Sequence, residues 1–540
     1  MSLAKTKIAA LLVALCCSTA AVRPAQDAVQ ADTVIKGGTI YTGGEDKPFV
    51  GDVAIKNDRI VYVGPTKKIA AKQTIDARGM AVSPGFIDPH THPDTFIRSD
   101  DPAMRVNAAW LRQGVTTLMI GVDGHGTPDI AQDVEQLIRS GIGTNVAPFV
   151  GFGPVRQRVL KNDDRVPTAA ELDQMKALVR KGMCEGALGF STGLFYAPQS
   201  FAKTEEVIAL AKEAGSRGGI YDSHQRDESS YTIGLLGSVA EGLRIGKEAG
   251  MPVHFAHIKA LGVDVHGKAG EVIAEIERAR AAGQQVTADQ YPWLASGSSL
   301  DASLLPRWSV DGGSAKMLER FDDPALLAKI KVEMRENMRR RGGAGALLLI
   351  AQNFPWTGKT LEQVAAGWSI DPIDAALRII RDSATAKASG TRISGGTSVA
   401  SFNMDDADVA AFMKTPWVVT SSDGSDGHPR MFATFPEKYA KYVQQKKVIS
   451  FDTFIRQSTG RTADIYKLDK RGYLKTGYFA DVLVLDPKTY APKADYVNPR
   501  ELSVGVKALF VNGQLSVKDS ATTGIRAGRG LLRPTPANCS

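Results

Sequence analysis

One rhythm constrains this chain more than any other feature. Eight short segments rich in apolar and β-branched residues recur at 81–87, 115–121, 145–151, 187–192, 219–223, 252–258, 286–291 and 417–422. Most are followed by a stretch with helical spacing, such as 204–214 or 239–249. Strand–helix alternation of this kind builds a parallel sheet with crossover helices, and eight units predict an α/β fold closed as a TIM-like (β/α)8 barrel. Between the seventh and eighth segments, residues 294–416 are too many for a loop and carry helical patterns of their own at 361–366 and 373–381. They are expected to form an insertion on the barrel rim.

The flanks have a different texture. Residues 33–37, 52–56 and 59–64 alternate apolar and polar positions between glycines, and the pattern returns at 480–486 and 506–517, where Asn512-Gly513 marks a tight hairpin. Residues 32–84 and 466–530 are therefore expected to form one small β-sandwich domain from both chain ends, with the barrel spanning 85–465.

The first twenty residues read as an export signal. Lys5 and Lys7 precede an apolar run at 8–17, and Ser18 and Ala20 are the small residues a signal peptidase needs, so cleavage is expected after Ala20. Leu15 and Cys16 are not the small residues that precede a lipid-modified cysteine. A polar linker follows at 21–31, and the expected location is periplasmic or secreted. Cleavage leaves only Cys184 and Cys539, too few for a disulfide framework, and Cys184 is expected to be a small buried residue. With 66 basic against 58 acidic side chains the formal charge is +8, but it is dispersed, which argues against a nucleic-acid partner. No run of 18 apolar residues occurs, so no membrane span is expected. Nothing in the pattern fixes an oligomeric state.

Histidine is scarce, 8 residues in 540, and its placement is selective. His90 and His92 follow the first strand in a His-x-His pair, which puts both imidazoles on one side of extended chain. His224 follows the fifth strand, His257 ends the sixth, and Asp423 follows the eighth. In a barrel these ends open on one face, so the set predicts a transition-metal site. His125, His254 and His266 make weaker candidates, and the last two are read as structural.

The segment 84–92, Pro-Gly-Phe-Ile-Asp-Pro-His-Thr-His, resembles the first-strand motif of the metal-dependent amidohydrolase superfamily. More narrowly, the segments at 189–196, 221–228, 256–259, 289–292, 422–424, 428–430 and 511–513 resemble those of N-acyl-D-amino-acid deacylases, the D-aminoacylases. The resemblance covers nearly all of the chain beyond the leader. It implies that His224 and His257 hold a tightly bound Zn2+, and that His90 and His92 hold a second, weaker site. Asp423 would be the catalytic carboxylate that also touches this second metal. Lys259 and Arg430 would hold the substrate carboxylate, and Tyr291 the scissile carbonyl. Phe195 and Tyr196 are candidates for lining a substrate side-chain pocket.

One departure matters. Where the family carries a zinc-binding cysteine after the second strand, this chain reads Gly121-Val122-Asp123-Gly124. Asp123 is expected to take the cysteine's place as a ligand, the alternative being a turn residue that binds nothing. A carboxylate is harder than a thiolate, which admits one or two zinc ions or another divalent metal.

The resulting expectation is metal-dependent hydrolysis of the amide bond of a small N-acyl-D-amino acid, giving a carboxylate and a free D-amino acid. A metal divalent in charge lowers the pKa of water toward about 7, and Asp423 would move the proton. A dipeptidase acting on D-residue dipeptides uses the same groups. A cyclic-amide hydrolase fits less well, because 187–193 lacks the lysine such enzymes carry at the fourth strand, and a metal-free scaffold remains the last alternative.

Overall fold

The computed structural model describes residues 30–388 and 396–539. The expected leader at 1–20 lies outside the described residues, as does most of the 21–31 linker. The last two linker residues, Gln30 and Ala31, instead open the first strand, Gln30–Ile40.

The barrel is parallel throughout and comes in two arcs. Phe86–Asp88, Val115–Ile120 and Asn145–Pro148 form one. Val150–Gly151, Gly189–Gly193, Ile220–His224, Val253–Phe255, Val286–Gln290 and Val418–Thr420 form the other, in that order. The third strand breaks at Phe149, so its halves belong to different arcs. The remaining seam closes where the first and eighth strand ends meet: Asp423 N–H donates to His90 O at 2.9 Å, and His92 N–H to Gly424 O at 3.0 Å. Closure thus places the expected ligands from the two strands side by side.

Crossover helices cover the outside for reasons visible in their sequences. Ala169–Cys184 starts at a capping box between Thr168 and Glu171. Gly234–Ala249 buries Leu235, Val239, Gly242, Leu243 and Gly246 along one stripe and stops at left-handed Gly250. Gly246 lies so close to the sheet that a Cβ there would meet Val253 Cγ2 at 2.1 Å.

The segment 81–87 is two strands rather than one. Ala81–Pro84 pairs antiparallel with Val482–Leu485 in the small domain, and the barrel begins at Phe86. The small domain is one nine-stranded sheet built from both chain ends. Its alternation is two-sided. Val482 and Val484 share a core with Ile35, Val53 and Phe510, whereas Leu483 and Leu485 pack with Phe86 and Trp110 of the barrel. Asn512 and Gly513, both at positive φ (48° and 80°), form the expected hairpin turn.

The rim insertion holds a three-stranded antiparallel sheet, Ala295–Ser299, Ser398–Phe402 and Leu347–Leu349, and a core of its own around Leu300, Met334, Leu361 and Ile379. The helix Asp406–Lys414, inside the expected 294–416 insertion, is a barrel element instead. Its Asp408 carboxylate accepts from Gly267 N–H at 2.7 Å and Ala269 N–H at 3.1 Å, at the start of the helix Ala269–Ala281.

Cys184 corrects a second expectation. It is half-buried and joined to Cys539 in a disulfide that ties the C-terminal tail to the helix Ala169–Cys184. Sequence spacing hid the pair, because 355 residues separate the two. Among the described residues no helix is long and apolar enough to cross a membrane.

Candidate metal centre

Asp123 sits at the middle of the barrel mouth, only 4% exposed. Its Oδ1 lies 3.1 Å from His90 Nε2, 3.3 Å from His257 Nε2 and 3.6 Å from His224 Nδ1, and its Oδ2 lies 3.4 Å from His92 Nε2. Asp423 Oδ1 approaches His92 Nε2 at 3.2 Å and His90 Nε2 at 3.8 Å. All six candidate ligands therefore converge. His125, by contrast, is exposed at the rim, with its ring 6.2 Å from that of His92.

The local chain is shaped to hold Asp123 there. Asp123 adopts φ 53°, between Gly121 at 77° and Gly124 at 70°. Gln199 donates from Nε2 to Asp123 O at 2.9 Å, and Gly124 N–H donates to Ser191 Oγ at 3.0 Å. A Cβ on Gly124 would strike Gln199 Oε1 at 2.1 Å. His257, at φ 34°, is fixed by its own N–H donating to Asp289 Oδ1 at 2.9 Å. Asp289 Oδ2 in turn pairs with His254 Nε2 at 2.9 Å, which gives His254 the structural place expected for it. His266 lies 3.1 Å from Asn403 O through its Nε2, away from the centre.

The donor set fits a cation. Two ligands of one tetrahedral zinc, each ~2.0–2.1 Å from it, lie roughly 3.3 Å apart, which is the spacing around Asp123 Oδ1. Both ring nitrogens of His90 and Oδ1 of Asp123 are buried without a hydrogen-bond partner. Buried polar atoms are seldom left so, and here His90 Nε2 and Asp123 Oδ1 point at one another. Burial alone would raise the Asp123 carboxyl, but His90, His224 and His257 outweigh it and hold it well below the usual range. Burial presses His224 down to about 3, leaving it the neutral imidazole a metal requires. Burial also opposes charge on His92, yet Asp123 and Asp423 prevail and push it up to about 10. The two carboxylates call for positive charge at this point.

Of the expected substrate-side residues, Lys259, Tyr291, Phe195 and Tyr196 line the adjoining pocket and Arg430 sits behind it against Asp423, and both cations already have partners. Lys259 Nζ lies 2.6 Å from Glu228 Oε1 and 2.7 Å from His257 Nδ1. Arg430 Nη1 lies 2.8 Å from Asp423 Oδ2, and its Nη2 donates to Ser425 Oγ at 3.3 Å. Glu228 was invisible to sequence reasoning as a site residue. Its position four after His224 was the available signal, because both belong to one strand end and the loop that follows it.

The amidohydrolase family model matches residues 73–337. D-aminoacylase of Alcaligenes xylosoxydans xylosoxydans is 30% identical over 536 residues, covering 94% of this chain and 99% of its own. The chain belongs to the D-aminoacylase family of amidohydrolases. A solved D-aminoacylase, described as having a binuclear metal centre with one-metal activation and second-metal attenuation, matches with a TM-score of 0.77 at 29% identity, over 93% of this chain and all of that one. The N-acyl-D-glutamate deacylase of Bordetella bronchiseptica, solved with zinc and a phosphonate mimic of the tetrahedral intermediate, gives 0.77 at 26% with the same coverage of this chain and 100% of its own.

Proposed function

We propose that this protein is an exported, metal-dependent deacylase of N-acyl-D-amino acids that uses zinc. The observation that carries the reading is a buried Asp123 within 3.1–3.6 Å of four histidines, beside an Asp423 held by Arg430. His90, His92, Asp123, His224 and His257 would hold the metal, with Asp423 at its edge. When bound, a divalent cation supplies Lewis acidity toward the scissile carbonyl and toward water.

The chain's own groups supply the rest. Burial would raise Asp423, but Arg430 and His257 keep it ionised well below the usual carboxylate range. It can therefore take a proton from the attacking water and return it to the departing nitrogen. Burial pushes the Tyr291 phenol well above its ordinary value, so it stays protonated. Among the described residues its hydroxyl meets only Met404 Sδ, at 3.9 Å, which leaves it available to donate to the developing oxyanion. Lys259 and Arg430 place positive charge where the substrate's α-carboxylate would lie, each screened by an acid until substrate arrives. Export is supported by the leader pattern and by the Cys184–Cys539 disulfide, which suits an oxidising compartment.

Hydrolysis of paired N-acetyl-D- and N-acetyl-L-methionine by the purified, zinc-supplied protein tests the reading. Release of free amine from the D-enantiomer is expected. Turnover of D-residue dipeptides with neither N-acetyl compound attacked would replace it with the dipeptidase assignment.

A further inference from the structure

The pocket beside the metal centre contains a cation that no carboxylate of the described residues neutralises. Arg341, on the rim insertion, is 2% exposed and lines the pocket with Phe195, Tyr231 and Lys259. Its Nε donates to Tyr231 Oη at 2.6 Å and its Nη1 to Ser401 Oγ at 3.2 Å. Both partners are neutral. Among the described residues no carboxylate pairs with Arg341, and Nη2 has no hydrogen-bond partner. Its guanidinium lies 5.9 Å from the Phe195 ring and 5.7 Å from that of Tyr231.

The charge balance of the pocket makes this unusual. Lys259 is matched by Glu228 and Arg430 by Asp423. A second guanidinium without an acid partner, Arg307, stacks on Phe195 at 4.0 Å. Burial, with the like charge of Arg341 adding to it, lowers Arg307 to about 10. Burying an arginine without a counter-ion is costly, so Arg341, with the half-buried Arg307 close by on Phe195, marks a place that an anion completes. With Nε and Nη1 holding the guanidinium in place, Nη2 is the donor left to meet an anion. Aromatic residues here predict an apolar side-chain pocket; the structure caps that aromatic wall with positive charge.

We propose that Arg341 binds a carboxylate on the substrate's side chain, and that the favoured substrates are N-acyl-D-amino acids with acidic side chains, aspartate or glutamate. This rests on the deacylase reading of the same site. The α-carboxylate is left to Lys259 and Arg430.

The test compares kcat/KM for N-acetyl-D-aspartate, N-acetyl-D-glutamate and N-acetyl-D-methionine in the wild type, Arg341→Met and Arg341→Lys, with thermal unfolding as a check on folding. The wild type should prefer an acidic substrate. Arg341→Met should lower the acidic-to-methionine ratio by about 10- to 100-fold, the value of a charged hydrogen bond, and Arg341→Lys should recover part of it. An equal loss on all three substrates, leaving the ratio unchanged, would overturn the proposal, as would a wild-type preference for methionine. If no D-substrate is hydrolysed, the deacylase reading fails separately. Equilibrium binding of N-acetyl-D-aspartate to the wild type and Arg341→Met then decides the pocket: weaker binding by the variant supports the assignment, and equal affinity overturns it.

Discussion

Asp423 meets His92 through one oxygen and Arg430 through the other, so its charge and its orientation are both set by neighbours. Asp423→Asn keeps the shape and removes the base. Its expected effect is a loss of about 10²–10⁴-fold in kcat with an unchanged circular dichroism spectrum, measured on N-acetyl-D-amino acids. Most of this centre was legible in the chain, because strand-end histidines in a parallel barrel have only one face to meet on. Asp123 was legible as a position and ambiguous in role. Its left-handed backbone and the grip of Gln199, 76 residues away in sequence, depend on packing no local pattern records. Glu228 and Arg341 escaped for a related reason. A lone charge on a loop or insertion reads as solvated until the tertiary fold buries it.

Among the larger elements, the helical run after the eighth strand carries a buried lysine. Lys438 is fully buried, and its Nζ donates to Thr420 Oγ1 at 2.9 Å and to Gln457 Oε1 at 3.0 Å. Burial, with Arg461 adding to it, depresses it to about 7. Below pH 7 the lysine is charged in folded and unfolded chains alike, and the fold bears the cost of burying that charge. Between pH 7 and the unfolded value of about 10.4 the folded chain sheds its proton first, so stability from this residue rises with pH. Lys438→Met should remove that rise. Thermal unfolding at pH 7 and 9.5 should show the wild type gaining about 2–3 kcal/mol relative to the variant, and a constant difference would contradict it. Element boundaries were the least legible level. The pattern at 81–87 conceals the passage from small domain to barrel, since apolar alternation is the same on both sides of Gly85. The Asp406–Lys414 helix was assigned to the insertion only because the insertion precedes it without a break.

For the whole molecule, the chain ends matter most. The C-terminal tail crosses the loops that lead into the barrel strands: Arg533 N–H donates to Gly186 O at 2.9 Å, and Asn538 Nδ2 to Ser216 O at 3.1 Å, before Cys539 closes the disulfide. Removing the cross-link by Cys539→Ser should cost about 2–5 kcal/mol of stability while leaving kcat/KM unchanged, because the metal centre opens at the strands' opposite ends. An unchanged unfolding midpoint would show that the hydrogen bonds alone secure the tail. At the heart of the molecule, the proposed role of Asp123 is to join four histidines into a working metal site. Its most direct measurement is zinc titration of metal-free protein, following bound zinc and D-substrate hydrolysis together in the wild type and in Asp123→Ala. Activity should rise from near zero to a plateau at one or more bound zinc per chain, and the variant should bind zinc more weakly and stay slow. Full activity without metal, or unaltered zinc affinity in Asp123→Ala, would contradict that role.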